Sequence, residues 1–218
     1  MTTEAPAQGG IPKIGDAAPD FTAMTTQGEI IFSTWAGDGK WVLLFSHPAD
    51  FTPVCSTELT ELGRRNAEFQ KRSTKLIGIS IDSIHSHLAW VQNLQKILDV
   101  RLPYPLIADS NRVVSELYGM IHPGASATVT VRAVFVIDPK RIIRAIIYYP
   151  LNVGRNVDEI IRLIDGLQTV DKHGVACPVN WKPGEKVIVP PPKTEKEVDE
   201  RLAANYERLD FYLCKKSI

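Results

Sequence analysis

The chain opens with a polar stretch, residues 1–12, and its first strong apolar run is WVLLFS at 41–46. Continuous hydrophobicity over so short a run predicts a strand buried on both faces. The loop HPADFTPV follows, and after it STELTELGRRNAEFQKR, where Leu59, Leu62 and Phe69 recur near helical spacing. Ser56 or Thr52 would cap that helix. KLIGISI, 75–81, predicts a second buried strand. Residues 85–98 predict a helix with Leu88, Val91, Leu94, Ile97 and Leu98 on its core face and Trp90 in the core. A short helix is expected over 109–118.

The alternation of strand and helix builds a parallel sheet through right-handed crossovers. TVRAVFVID and RIIRAIIYYP, separated by Pro139 and Lys140, then predict a hairpin. A last core helix over 156–167 puts Ile160, Ile161 and Ile164 on one face. A βαβ unit followed by a hairpin and a helix predicts an α/β, thioredoxin-like layout. From 174 the composition turns proline-rich, and TEKEVDERLAANYERL reads as a helix with a capping box at Thr194 and Glu197. That tail could hardly bury Val187, Ile188, Val189, Phe211 and Tyr212 alone, so it must pack on the core or on a second subunit. The expected division is a flexible tail at 1–12, a domain at 13–173 and a C-terminal dimerisation arm at 174–218.

Composition narrows the function classes. The 218 residues are 44% hydrophobic and 23% charged, ordinary for a globular protein. Lys plus Arg and Asp plus Glu number 25 each, which argues against a nucleic-acid partner held by a cationic surface. No apolar stretch reaches the roughly eighteen residues of a membrane span, and MTTEAPAQGGIPKIGD does not resemble a signal peptide. The expectation is a cytoplasmic protein with no membrane partner. Its three cysteines, Cys55, Cys177 and Cys214, form no C-x-x-C pair, so the thioredoxin redox motif and a zinc ribbon are both missing.

The chemistry concentrates in HPADFTPVCSTE, 47–58. Cys55 falls where a loop meets a helix, and there the positive end of the helix dipole and free backbone N–H groups favour the thiolate, the reactive nucleophile. Cysteine alone is more often structural; the prolines, Thr52 and the helix start reverse that reading. Thr52 can supply a hydroxyl one turn before the sulfur. Pro48 can shield the sulfur and fix the loop. Arg132, flanked by Val131 and Ala133 in a strand, needs a partner, and Glu58 is the expected one. His47 is expected to support the site by hydrogen bonding. His85 and His87, two residues apart, do not share a helical face, and no metal site is expected. Cys177, beside Pro178, reads as a small, partly buried hydrophobe.

The pattern Pro48-x-x-x-Thr52-x-x-Cys55 resembles the active-site signature of the peroxiredoxins, and Arg132 matches their distant arginine. FSHPADFTPVCSTE with His47, the DSxxxHLAW segment at 82–90, YPLNVGRN with Arg155, and CPVNWKPGE resemble the one-Cys (peroxiredoxin 6-type) subfamily, over nearly all of 12–214. The resemblance implies a thioredoxin-like fold and reduction of hydrogen peroxide and organic hydroperoxides. Cys55 would become a sulfenic acid, then be returned by a thiol from a thioredoxin-like protein, glutathione or another donor. It implies no cofactor, and a homodimer that can build a decamer. Arg155 would serve an interface, support the site from behind or contact it directly.

Two features depart from the subfamily. Cys214, in RLDFYLC, resembles the C-terminal cysteine of archaeal relatives and would resolve Cys55 of the partner subunit. GDGKW, 37–41, lacks the serine linked to phospholipase activity in animal relatives, so that activity is not expected. A redox-gated binding protein on the same scaffold and a zinc hydrolase are the competing classes; thiol-dependent peroxide turnover separates both from the peroxidase.

Overall fold

The computed structural model describes residues 10–218; most of the expected N-terminal tail, 1–9, lies outside the described residues. The chain divides into two compact units between Val157 and Asp158.

The first unit begins with a hairpin that the sequence reading did not anticipate, β1 (Thr22–Thr25) and β2 (Gly28–Ile31), followed by α1 (Phe32–Ala36). Its strands are short and largely exposed, so no strong apolar run announces them. β3 (Trp41–Ser46) is buried at all six positions. The polypeptide then forms α2 (Pro53–Arg64) and α3 (Asn66–Lys71), with a break at Arg65 where one continuous helix was expected. α2 begins with proline, whose missing N–H is harmless at that position. Thr52 therefore occupies the cap, not Ser56, whose hydroxyl instead donates back to Thr52 O.

β4 (Thr74–Ser80), α4 (Ile84–Leu98), β5 (Leu106–Ala108) and α5 (Val113–Leu117) continue the alternation. Ser83 caps α4, its hydroxyl accepting from Ser86 N at 3.2 Å. The buried face of α4 is His87, Trp90 and Leu94. Leu88, Ile97 and Leu98 are exposed (41%, 59% and 36%), a correction to the expected leucine stripe. A polar histidine holds the core-facing position that apolar counting assigned elsewhere. α5 is shorter than expected, with Arg112 at its N-cap position, and the Asp109 carboxylate accepts from the first-turn Val114 N and Ser115 N.

β6 (Arg132–Ile137) and β7 (Ile143–Tyr149) form the expected hairpin. The seven strands lie in the order β2-β1-β5-β4-β3-β6-β7. β3, β4 and β5 run parallel, and β6 runs antiparallel to β3. The core on this sheet joins Phe21, Phe32, Leu44, Ile77, Ile107, Tyr118 and Phe135.

The second unit holds α6 from its second residue (Val157–His173), β8 (Val187–Ile188), α7 (Glu195–Ala203), β9 (Glu207–Asp210) and β10 (Leu213–Lys216). Ile160, Ile161 and Ile164 are buried as expected. β8, β10 and β9 form a small antiparallel sheet, in that order, while Val175, Trp181 and Val187 form a separate apolar cluster. Thr194 caps α7, accepting from Glu197 N, but the Glu197 carboxylate receives Lys193 N in place of the capping-box donor. α7 ends at Ala203, and 207–209, expected as helix, belong to strand β9 (Glu207–Asp210). Phe211 and Tyr212 are exposed at the turn between β9 and β10. Among the described residues, no helix is long and apolar enough to cross a membrane.

Candidate active site

β3 ends at Ser46, and the segment 47–52 leads from the carboxyl end of this parallel strand into α2. Antiparallel pairing of β6 with β3 brings the start of β6, far away in sequence, to the same end of the sheet. Three hydrogen bonds stitch the two together: Ser46 Oγ to Val131 O (2.6 Å), Ala133 N to Ser46 Oγ (3.0 Å) and Thr130 Oγ1 to His47 O (2.8 Å). Arg132 is thereby delivered to the base of α2.

Cys55 occupies the first turn of α2 and is fully buried. The first intrahelical bond is Ser56 N to Thr52 O, so the N–H groups of Val54 and Cys55 precede the hydrogen-bonded ladder. Arg132 Nη1 donates to Cys55 Sγ at 3.3 Å and to Glu58 Oε2 at 2.7 Å. The rest of the guanidinium is anchored from behind, Nε and Nη2 donating to Leu151 O at 3.0 and 2.6 Å. Of its five N–H donors, one is left for a further acceptor.

Glu58, one turn after Cys55, is shared by a second arginine. Arg155 donates from Nε and its backbone N to Oε1, and from Nη2 to Oε2, while Nη1 donates to Ser46 O and Ala133 O. Burial alone would raise the Glu58 acid, but Arg155, by charge and hydrogen bonds, and then Arg132 hold it below its ordinary value. Two buried positive charges thus face one carboxylate. The excess positive charge is matched if Cys55 is a thiolate. Arg155 belongs to the support of this ion network, with its guanidinium directed to Glu58 and backbone carbonyls.

Pro48 is buried in the loop. The Thr52 hydroxyl donates to Ala49 O at 2.8 Å, which leaves its lone pairs as acceptors. Cys214 is buried in β10, its sulfur near Asp210 O and Phe211 O, and Cys177 is half-buried against Gly166 O. Burial raises the Cys177 thiol against the opposing pull of Arg162, the direction of an unreactive thiol. All three cysteines are free.

His47 donates from Nε2 to Asp50 Oδ1 at 2.9 Å. Asp50, not singled out from the sequence, and His87, weighed there only as a metal ligand and set aside, complete this buried group: His87 Nδ1 lies 2.9 Å from Asp50 Oδ2. Their only sequence signal was a polar residue within HPADFT and a histidine on the core face of α4. The three side chains put donor atoms within 4.8 Å of one another, a spacing that can hold a cation. Their N···O separations of 2.9–3.0 Å are hydrogen-bond lengths, however, and the group reads as a hydrogen-bonded cluster.

Comparison with known proteins identifies the family. The AhpC/TSA family model matches residues 14–146, and the model of the C-terminal domain of 1-Cys peroxiredoxin matches 166–205. A peroxiredoxin of Aquifex aeolicus is 50% identical over 218 aligned residues, covering 95% of this chain and 98% of the relative. The structure of yeast mitochondrial 1-Cys peroxiredoxin superposes with a TM-score of 0.86 at 42% identity, covering 95% of this chain and 100% of that one. A cysteine-to-serine variant of peroxiredoxin 6 from Arenicola marina gives 0.84 at 35% identity, covering 94% and 98%. The fold is therefore thioredoxin-like. With matches of this length to both domains, the chain belongs to the peroxiredoxin family, the thiol-dependent peroxidases.

Proposed function

We propose that Cys55 is the peroxidatic nucleophile of this enzyme, acting on hydrogen peroxide and organic hydroperoxides. The observation that carries the assignment is the 3.3 Å approach of Arg132 Nη1 to its sulfur at the start of α2. The thiolate attacks one peroxide oxygen, the O–O bond breaks, and the other oxygen leaves as alkoxide or hydroxide to take a proton from water. Sulfur is oxidised to the sulfenic acid and the peroxide is reduced.

Developing negative charge on the leaving oxygen needs fixed donors. The remaining Arg132 N–H and the first-turn N–H groups of α2 are suited to this. The Thr52 hydroxyl, committed to Ala49 O as donor, is suited to accept from the peroxide O–H. Pro48 restricts access, Glu58 orients Arg132, and Arg155 holds Glu58. His47 supports the loop from beneath.

A thiol then condenses with the sulfenic acid, releasing water and leaving a disulfide. Cys214 of the partner subunit is our candidate for that thiol, within a homodimer built through the arm at 174–218 and extended to a decamer. Both sulfurs are buried in the reduced chain, so β10 must peel from β8 and β9 before they meet. The exposure of β9 along its whole length favours such opening. A disulfide so formed calls for a dithiol reductant such as a thioredoxin-like protein; without it, glutathione or another external thiol completes the cycle. The yeast relative is described as resolved through glutathione/thioredoxin systems. Three free thiols suit a reducing compartment, and we place the protein in the cytoplasm.

The test is Cys55→Ser in a coupled peroxide-consumption assay with added dithiol. Loss of turnover with native thermal stability is expected. Retained turnover would remove Cys55 from the mechanism.

A further inference from the structure

His87 is fully buried, and both of its ring nitrogens face acceptors. Nε2 lies 3.0 Å from the carbonyl oxygen of Ile107, a group that can only accept. Nδ1 lies 3.0 Å from Oδ1 and 2.9 Å from Oδ2 of Asp50. Burial alone would raise the Asp50 acid, but hydrogen bonds from His47 and His87, with the His87 charge, hold it well below the usual carboxylate range. Asp50 is thus an acceptor as well, and it also receives Ser86 Oγ at 2.8 Å. A neutral imidazole has one N–H and cannot serve two acceptors.

We infer that His87 is a buried imidazolium whose pairing with Asp50 clamps the 47–52 loop, making His87 a positioning residue for the peroxidase reaction. The inference rests on the assignment of Cys55 as nucleophile. His47 takes the opposite state. Its Nε2 donates to Asp50, its Nδ1 has no partner among the described residues, and burial, outweighing the pull of Asp50, favours the neutral ring. The ionisable groups facing Asp50 come from three places: His47 on the loop, His87 on α4, and Asp82 after β4. Asp82 accepts Asp50 N at 3.0 Å and Ser80 Oγ at 2.6 Å, so the loop is held by backbone as well as side chain.

The clamp has a mechanical reason. Phe51, the next residue, has φ of 54°, a left-handed conformation unfavourable for a bulky side chain. Such a conformation persists only where its surroundings over-determine it. Thr52 caps α2 immediately afterwards, and Cys55 lies in that first turn. Anchoring Asp50 to α4 therefore sets the position of the loop that carries Thr52 to the sulfur.

Neutron diffraction from deuterated crystals of the reduced protein tests the protonation states without reference to Cys55 chemistry. Deuterons are expected on both nitrogens of His87 and on Nε2 alone of His47. A bare nitrogen on His87, or a metal ion between it and Asp50, overturns the inference. Stopped-flow oxidation of Cys55 by hydrogen peroxide tests positioning. His87→Gln and Asp50→Asn should each lower the second-order rate constant by about 10- to 100-fold. The double variant, which restores an uncharged amide pair, should recover to within about threefold of wild type. Unchanged rates in the single variants, or no recovery in the double, would each count against positioning. Retained turnover in Cys55→Ser would instead defeat the underlying assignment and leave the neutron result standing.

Discussion

Arg132 Nη1 stands 3.3 Å from the sulfur of Cys55, while two other nitrogens of the same guanidinium are fixed on the carbonyl of Leu151. The charge beside the sulfur is therefore held in place by backbone, with little freedom to lose when a peroxide arrives. A preorganised donor is worth more than a mobile one because it need not reorganise during the reaction.

Arg132→Lys keeps the positive charge and discards the fork. An ammonium cannot reach Leu151 O, Glu58 and the sulfur together from that backbone position. The rate constant for Cys55 oxidation should fall by about 100- to 1,000-fold, measured by stopped-flow at matched pH. A loss below threefold would mean that charge alone suffices.

Glu58→Gln leaves Arg132 and Arg155 buried without their shared carboxylate, and about 3–5 kcal/mol of stability should be lost, read by urea unfolding at pH 7. The same group gives a pH signature. Its folded-state pKa lies below the ordinary 4.5, so the unfolded chain binds that proton more readily. The stability it contributes is present above about pH 4.5 and is lost as pH falls through the folded value. Asp50, also depressed, acts in the same direction. Unfolding free energies from pH 7 to pH 3 should decline less steeply in the variant; parallel curves would show that Glu58 is not the source.

Mild oxidation with one equivalent of peroxide should convert the protein to a disulfide-linked dimer on a non-reducing gel. Cys55→Ser and Cys214→Ser should each abolish that dimer. A monomer carrying one added oxygen on Cys55 would assign the second half of the cycle to an external thiol.

Gly78 lies in β4, where a Cβ would come within 2.6 Å of Leu106 Cδ2 and 3.2 Å of the Phe45 ring. Gly78→Ala should therefore destabilise the sheet by about 1–3 kcal/mol through overpacking, seen as a lower urea midpoint with an unchanged slope. An unchanged midpoint would show that the Leu106 side chain yields freely.

Much of this was legible in one dimension. WVLLFS and KLIGISI declared themselves as buried strands, and the isoleucines of 160–164 as a core face, because burial on a periodic element leaves a periodic trace. The local motif around Cys55 was legible for the same reason: a proline-bearing loop running into a helix start is encoded by neighbours. The weak hairpin of β1 and β2 left no such trace, nor did the ending of α7 at Ala203 with β9 beyond it, since exposed strands carry little hydrophobic pattern.

What the sequence determined by itself was the setting of Cys55 between a loop and a helix start, the alternation of strand and helix from β3 to α4, and the pairing of Arg132 with Glu58 as a candidate. Only the tertiary structure decided which charges share a site. Glu58 accepts from two arginines whose positions depend on the antiparallel return of β6 and the loop after β7. It also decided that His87 faces inward and Leu88 outward, and that His87 meets Asp50 across 37 positions. Hydrogen bonds between distant residues are set by where whole elements pack, and no local pattern of side chains records that.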